Sequence, residues 1–268
     1  ANRSWSARRF GTQIVSGTQT DRFLDPNAFF ATDRYGEMID LVELTRPSDG
    51  YTNQNTLWAG YLSTVSHLRD DLKMMVGGRY ESFEQVINVA SPFAQDSSEQ
   101  DRALRHDQDI LPAFSLIYSP WKQTNLRFSY GGTVARPLVR ELAPFLQQDF
   151  VRRRTITGNP DLQRTWIDNF DLRLEWFPSD VEVFAVSLFS KHFDAPIESI
   201  IKDQNGNLGF ENTPQAQNAG VEVEGRLHLK RWSSLFKHWQ VMGNFTWTYS
   251  QVTLSEEQAN FVTSKSRA

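Results

Sequence analysis

The chain contains no cysteine, which excludes disulfide scaffolds, Cys-ligated zinc, iron–sulfur clusters and thiol nucleophiles together. It lacks any apolar run of about 18 residues, so no transmembrane helix is expected. It lacks an excess of one charge as well. Twenty-eight Lys and Arg stand against 32 Asp and Glu, a net charge of −4, and no broad positive field marks a nucleic-acid binder. No P-loop, dinucleotide fingerprint, G-x-S-x-G or H-E-x-x-H is present, and His67, His106, His192, His228 and His238 show no metal-ligand spacing. His192 with Ser187 or Ser190 has no convincing third partner for a hydrolase triad. No catalysis, metal or cofactor is therefore expected. The amino end, Ala1-Asn2-Arg3-Ser4-Trp5, carries no apolar signal-peptide core, and both ends read as cuts through a longer chain.

Aromatic residues are plentiful, with 8 Trp, 7 Tyr and 19 Phe among 268 residues. Mean hydropathy is nevertheless −0.50. A transmembrane β-barrel reconciles the two, because its strands expose only every second residue to lipid.

A period of two runs along the chain. Between Ile167 and Phe177, Phe170, Leu172, Leu174 and Trp176 fall on one face of a strand, and Asn169, Asp171, Arg173 and Glu175 on the other. A helical period of 3.6 would scatter those charges around the circumference. The same sorting places Val221, Val223, Leu227 and Leu229 opposite Glu222, Glu224, Arg226 and His228. It places Phe245, Trp247 and Tyr249 opposite Asn244, Thr246, Thr248 and Ser250. It predicts about nine strands, near 4–17, 52–68, 72–88, 108–119, 124–136, 164–177, 181–194, 216–230 and 238–253.

Tight links such as Arg69-Asp70-Asp71 and Pro120-Trp121-Lys122-Gln123 alternate with long ones near 18–51, 89–107, 137–163 and 195–215. One rim therefore carries turns and the other carries loops. Tyr118, Trp121, Trp176, Phe177, Trp232, Phe236 and Trp239 gather at the tight-turn rim, as an interfacial girdle would. Most of these stretches exceed the roughly 9–11 residues that a tilted strand needs to cross a bilayer. The fold class expected is an all-β, antiparallel transmembrane β-barrel segment, about nine strands of a larger barrel. A soluble β-sandwich or propeller is the alternative, and against it no repeat of about 40 residues is visible.

Residues 132–230 then present an ordered series of motifs: G-T-V-A-R-P-L-V-R-E-L-A-P-F, T-G-N-P-D-L-Q, N-F-D-L-R-L-E-W-F, V-F-A-V-S-L-F-S-K-H-F-D-A-P-I-E, F-E-N-T and G-V-E-V-E-G. The series resembles the carboxyl-terminal part of the barrel of TonB-dependent outer-membrane receptors. L-W-A-G-Y-L and V-G-G-R-Y-E-S-F, within residues 57–83, resemble paired strands of the same barrel. The resemblance implies periplasmic turns, extracellular loops and location in the outer membrane of a Gram-negative bacterium. It also implies import of a scarce small-molecule or oligomeric ligand, outer-membrane lipids as neighbours, and a TonB complex engaged through a plug region that this chain is expected to lack together with the closing strands. A passive barrel or adhesion protein and a soluble carbohydrate-binding β-domain remain alternatives.

Local chemistry adds detail. Pro137 ends a strand because it lacks the amide proton that a ladder bond needs. Gly158-Asn159-Pro160 is turn chemistry. Asp203-Gln204-Asn205-Gly206-Asn207 has the oxygen richness of a calcium loop but no twelfth-position Glu, and Asn205-Gly206 is the stronger hairpin signal. Arg140, Arg152, Arg153 and Arg154 concentrate positive charge on one long loop, suited to an anionic ligand. Glu81, Thr165 and Asn169 stand high on the polar strand faces, where they would line a ligand path.

Overall fold

The computed structural model describes residues 2–6, 10–14, 25, 39–43, 50–90, 100–143, 146–149, 154–203, 205–231, 233–236 and 238–255. Its strands are β1 (Asn2–Ser6), β2 (Phe10–Ile14), β3 (Ile39–Glu43), β4 (Gly50–Arg69), β5 (Leu72–Ala90), β6 (Gln100–Trp121), β7 (Thr124–Ala135), β8 (Leu146–Asp149) and β9 (Arg154–Thr157). They continue as β10 (Thr165–Ser179), β11 (Glu182–Asp194), β12 (Ile197–Ile201), β13 (Leu208–Asn212), β14 (Gln215–His228) and β15 (Gln240–Thr253).

Nine of them form one sheet in the order β1-β4-β5-β6-β7-β10-β11-β14-β15. Every pairing in it is antiparallel. Eight of the nine expected strands appear in it close to their predicted positions, and the ninth differs: 4–17 is divided between β1, on the main sheet, and β2, which pairs with β3 in a separate ribbon. β6 begins eight residues before its predicted start at 108, at Gln100. The early stretch Asp101-Arg102-Ala103-Leu104-Arg105-His106-Asp107 hides its alternation because charges occupy both faces.

The sheet has two chemically distinct faces. On one, Phe170, Leu172, Leu174 and Trp176 of β10 are exposed, and Val186, Leu188, Val223, Phe245 and Trp247 continue the apolar surface across β11, β14 and β15. The other bears Ser115, Ser129, Arg173, Glu175, Ser187, Glu224, Asn244 and Thr246. The apolar face has the exposure of a wall that meets hydrocarbon, and the polar face that of an aqueous lumen. No described helix is long and apolar enough to cross a membrane. At the tight-turn rim Trp121 and Trp239 are exposed, Trp176 stacks on Phe184 at 5.7 Å, and Phe236 meets Trp239 edge-on at 6.3 Å. Trp232 lies outside the described residues.

The long loops have structure of their own. β8 and β9 arise from the loop between β7 and β10, β12 and β13 from the loop between β11 and β14, and the two hairpins join as a four-stranded sheet in the order β12-β13-β9-β8. Beneath them the principal buried cluster forms from Ile87, Val89 and Ala103 of the main sheet with Leu142, Ala143 and Leu162 of the first loop. The core thus sits at the loop end, on the polar side, and draws the loop inward over the mouth.

Gly158-Asn159-Pro160 anchors this arrangement. A Cβ on Gly158 would collide with the Ala143 backbone, so only glycine permits the approach. Asn159 donates its backbone N–H to the Glu141 carbonyl at 2.6 Å and its amide to the Phe210 carbonyl at 3.0 Å, tying the two loops together. Gly158→Ala is expected to destabilise the loop packing by about 1–3 kcal/mol. The check is amide exchange: protection should fall at Leu142, Ala143 and Leu162 and hold in β10 and β11.

Candidate functional site

Sequence alternation brings acids to the mouth in a specific way. On the polar faces of β5 and β6, Glu81 stands directly opposite Asp109 in register. Two carboxylates so placed repel each other unless a cation bridges them. Arg136, the residue after β7, supplies that bridge. Its Nη1 donates to Glu81 Oε2 and its Nη2 to Asp109 Oδ2, each at 2.8 Å, and its guanidinium carbon lies 4.7 Å above the Phe83 ring.

The pairing extends in both directions. Arg79 donates to Glu81 at 2.7 Å. Arg164 donates from Nε to Asp109 at 2.5 Å and stands 3.8 Å from Asp107. Arg105 donates to both Asp107 oxygens, at 3.2 and 3.3 Å, and to the Leu162 carbonyl. The Asp109 side chain is 0% exposed and those of Glu81 and Asp107 no more than 10%. Seven charged side chains therefore form one unbroken chain, and Arg136 and Arg164, the roots of the loop, both grip Asp109.

Farther down the polar wall the signs are reversed. Arg127 and Arg173 face each other on β7 and β10, and Glu175 sits between them. Arg173 donates to Glu175 at 2.8 Å, to Ser187 at 2.9 Å and to Glu224 at 2.8 Å, and Arg127 lies 3.6 Å from Glu175. Beside this group is a cavity of about 450 Å³, lined by Arg173, Glu222, Glu224, Arg226, Asn244 and Thr246 among others.

The expected site residues are not gathered in one place. Glu81 is buried within the mouth chain. Thr165, also buried, donates its hydroxyl to the Ala195 carbonyl at 3.0 Å and so joins β10 to the second loop. Asn169 lies lower, donating to the Gly131 carbonyl at 2.9 Å and to Thr133 at 3.0 Å. Arg154 is held by Asp149 at 3.3 Å. Arg140 is exposed in a single helical turn, Val139–Leu142, and makes no ion pair among the described residues. Glu141 beside it caps that turn, accepting from the Leu138 N–H at 2.8 Å. Arg152 and Arg153 lie outside the described residues.

Arg105, Asp107, Asp109, Arg136 and Arg164 were not singled out by motif. The available signal was opposite charge two residues apart on a strand, Arg79 with Glu81, Arg105 with Asp107 and Arg173 with Glu175, since such pairs share a face. Ser190 Oγ and His192 Nε2 are 3.2 Å apart on the apolar wall, whereas Ser187 faces the polar side and is held by Arg173.

Asp203 closes the β12–β13 hairpin. Its carboxylate accepts from the Asn207 side chain at 2.6 Å and from the backbone N–H of Asn205 and Asn207, while Gly206 takes φ +79°. These groups, the Asn207 amide foremost, hold the Asp203 carboxyl below its ordinary value of 3.8. The carboxyl is more acidic folded than unfolded, so its contribution is fully present above the ordinary value and is lost as pH falls through the depressed one. Exchange protection at Asn205 and Asn207 should be constant from neutral pH down to about 5 and should collapse only in stronger acid. Asp203→Ala should remove that protection at every pH.

A family model described as TonB dependent receptor-like, beta-barrel, matches residues 2–266. No curated protein matches the chain. Among solved structures it resembles the hemophore receptor HasR of Serratia marcescens, solved with its hemophore HasA and heme, at 13% identity and a TM-score of 0.57, covering 80% of this chain and 37% of that one. It resembles the ferric-catecholate import receptor Fiu of E. coli at 13% identity and 0.56, covering 80% and 30%. For the FrpB iron transporter of Neisseria meningitidis the values are 11% and 0.53, covering 78% and 28%. The chain thus spans 28–37% of the length of these receptors.

Proposed function

The chain belongs to the TonB-dependent receptor β-barrel family of the bacterial outer membrane, and from that premise we propose that it forms wall, mouth and loops of an importer that takes up an anionic iron chelate or haem. The observation that carries this reading is the placement of the loop between β7 and β10. It is clamped over the polar face of the sheet by buried ion pairs, where a ligand arriving from outside first meets the protein. The resemblance to receptors for ferric catecholate and for hemophore with heme supports the ligand class.

Arg140, exposed and without an ion pair among the described residues, is assigned to ligand capture together with Arg152 and Arg153. Arg154 is neutralised by Asp149 and shapes the β8–β9 turn. Glu81, Thr165 and Asn169 hold the mouth in form beneath the ligand. Binding of this kind needs no covalent chemistry, so we assign the chain no catalytic step. In the same reading a plug domain seated in the lumen gates passage and relays energy from a TonB complex.

Uptake by cells that make the full-length receptor tests this. With radiolabelled ferric catecholate or haem as probes, surface binding should persist when the proton-motive force is dissipated and internalisation should stop. Internalisation that continues unchanged would establish the passive barrel instead. Replacing Arg140 by Glu should weaken binding about 5–30-fold, the loss of about 1–2 kcal/mol of charge-assisted contact.

A further inference from the structure

The turn rim holds one connection unlike the rest. β4–β5, β6–β7 and β10–β11 are each joined by two residues, Asp70-Asp71, Lys122-Gln123 and Asp180-Val181, whereas eleven, Leu229 to Trp239, join β14 to β15. This segment reads L-K-R-W-S-S-L-F-K-H-W and contains three basic residues and no acid. No Asp or Glu occurs anywhere between Glu224 and Glu256. The short turns at Asp70-Asp71 and Asp180-Val181 are acidic by contrast.

The long turn is folded back on the wall. Leu229 donates its backbone N–H to the Trp239 carbonyl at 2.9 Å, which adds one pair to the β14–β15 ladder beyond His228 and Gln240. Alternation places that pair on the face of Val223 and Phe245, so the apolar wall runs down to Leu229 and Trp239. Between them, Ser233 N–H donates to the Leu229 carbonyl at 3.4 Å, Phe236 to Ser233 at 3.1 Å and Trp239 to Phe236 at 2.9 Å. These bonds set Phe236 edge-on against Trp239. Leu235 is nevertheless 79% exposed and Trp239 63%. Lys230 is exposed as well and makes no ion pair among the described residues. Glu182 of β11 is already taken up by the Ser179 hydroxyl and the His228 N–H.

We propose that the β14–β15 turn is an interfacial anchor for an anionic phospholipid of the periplasmic leaflet. Lys230, Arg231 and Lys237 supply positive charge for the headgroup phosphate, and Leu235, Phe236 and Trp239 supply the apolar surface that enters the acyl boundary. Exposed apolar side chains within a basic segment are the chemistry of a membrane surface. A soluble acidic peptide would use the charge and leave Leu235 and Trp239 bare in water. A zwitterionic headgroup would use the rings and leave the charge unmatched. The proposal shares with the import reading only the premise of an outer-membrane barrel whose tight turns face the periplasm.

Native mass spectrometry of the full-length receptor in detergent tests the anchor, with phosphatidylglycerol and phosphatidylethanolamine of identical acyl chains offered at equal concentration. Wild-type protein should retain the glycerol lipid in about fivefold excess or more, the scale of one or two basic side chains at an anionic surface. Lys230→Gln, Arg231→Gln and Lys237→Gln combined should bring the ratio near one, and more concentrated ammonium acetate should lower it in the wild type. Lys122→Gln, on the β6–β7 turn, should leave it unchanged. Trp239→Ser should reduce retention of both lipids by a similar factor and keep the ratio, because the indole serves insertion and not charge. Excess glycerol phosphate should not displace the lipid. Equal retention of the two lipids by the wild type, an unchanged ratio in the triple variant, the same fall in Lys122→Gln, or displacement by glycerol phosphate overturns the proposal. The import reading is untouched by any of these results, whereas a wild-type protein without the heat-modifiable gel mobility of a folded barrel removes the shared premise.

Discussion

Replacing Arg136 by Met is expected to destabilise the mouth by about 3 kcal/mol and to release the loop between β7 and β10. Glu81 and Asp109 face each other across β5 and β6, and Arg136 is the group that neutralises both. With a neutral side chain in its place, Arg79 still pairs with Glu81 and Arg164 with Asp109, but the two acids meet with nothing between them. The cost is that of exposing like charges to each other in a region where the Asp109 side chain has no solvent access. Urea unfolding of the receptor in detergent should show the loss, and amide exchange should rise at Leu142 and Leu162. Arg79→Met is the matched control. The Arg79 side chain is 41% exposed and pairs with one acid, so its loss should cost under about 1 kcal/mol. Equal costs for the two variants would show that the mouth does not depend on the bridge. Arg136→Lys should recover only part of the loss, because an ammonium keeps the charge but has no pair of donors spread as Nη1 and Nη2 are to reach Glu81 and Asp109 at once.

Leu172→Arg should cost about 2–4 kcal/mol, the depth-dependent penalty of an arginine near the middle of a lipid-facing wall. Leu172 stands midway between Trp176 at the turn rim and Asp168 near the loop rim. Thr246→Arg, on the polar face opposite Glu222, should change stability by under about 1 kcal/mol. Both substitutions introduce the same side chain into a strand of the same sheet, so the difference reports only which face meets hydrocarbon. The measurement is reversible unfolding from lipid bilayers. If the arginine were tolerated at 172 and damaging at 246, the assignment of the apolar face to hydrocarbon would be overturned.

The sheet was legible because its strands repeat a simple rule over many residues. Phe170, Leu172, Leu174 and Trp176 against Asp171, Arg173 and Glu175 allow one reading, and long strands average out local exceptions. The loop sheet was not legible for the opposite reason. β8 and β9 are four residues each, and β13 meets β9 through the single pair Leu208 and Ile156. Nothing local in Arg154–Thr157 names a partner fifty residues away. The Asp203 turn, by contrast, is wholly local, and Asn205-Gly206 announced it. The mouth fell between these cases: each Arg and acid was visible, but which arginine spans which acids depends on the register of β5, β6 and β7 and on the path of a loop. Arg136 was read as the last residue of a strand that in fact ends one residue earlier, at Ala135, and its side chain does the bridging.

The anchorage of that loop separates two things that proteins ordinarily have to change together. Arg136 and Arg164 bring both ends of the segment to one aspartate, and Leu142, Ala143 and Leu162 pack against the wall just inside those roots, so the wall senses the loop through its base and not through its tip. Closing a longer loop between fixed ends costs only about 0.6 kcal/mol per doubling of length. The segment between the packed Ala143 and the paired Arg154 can therefore be lengthened, shortened or rewritten at small cost while strand register stays as it is. A lineage facing a new chelate could exchange the tip and keep the barrel, and an engineer could graft a foreign recognition segment between the same two arginines.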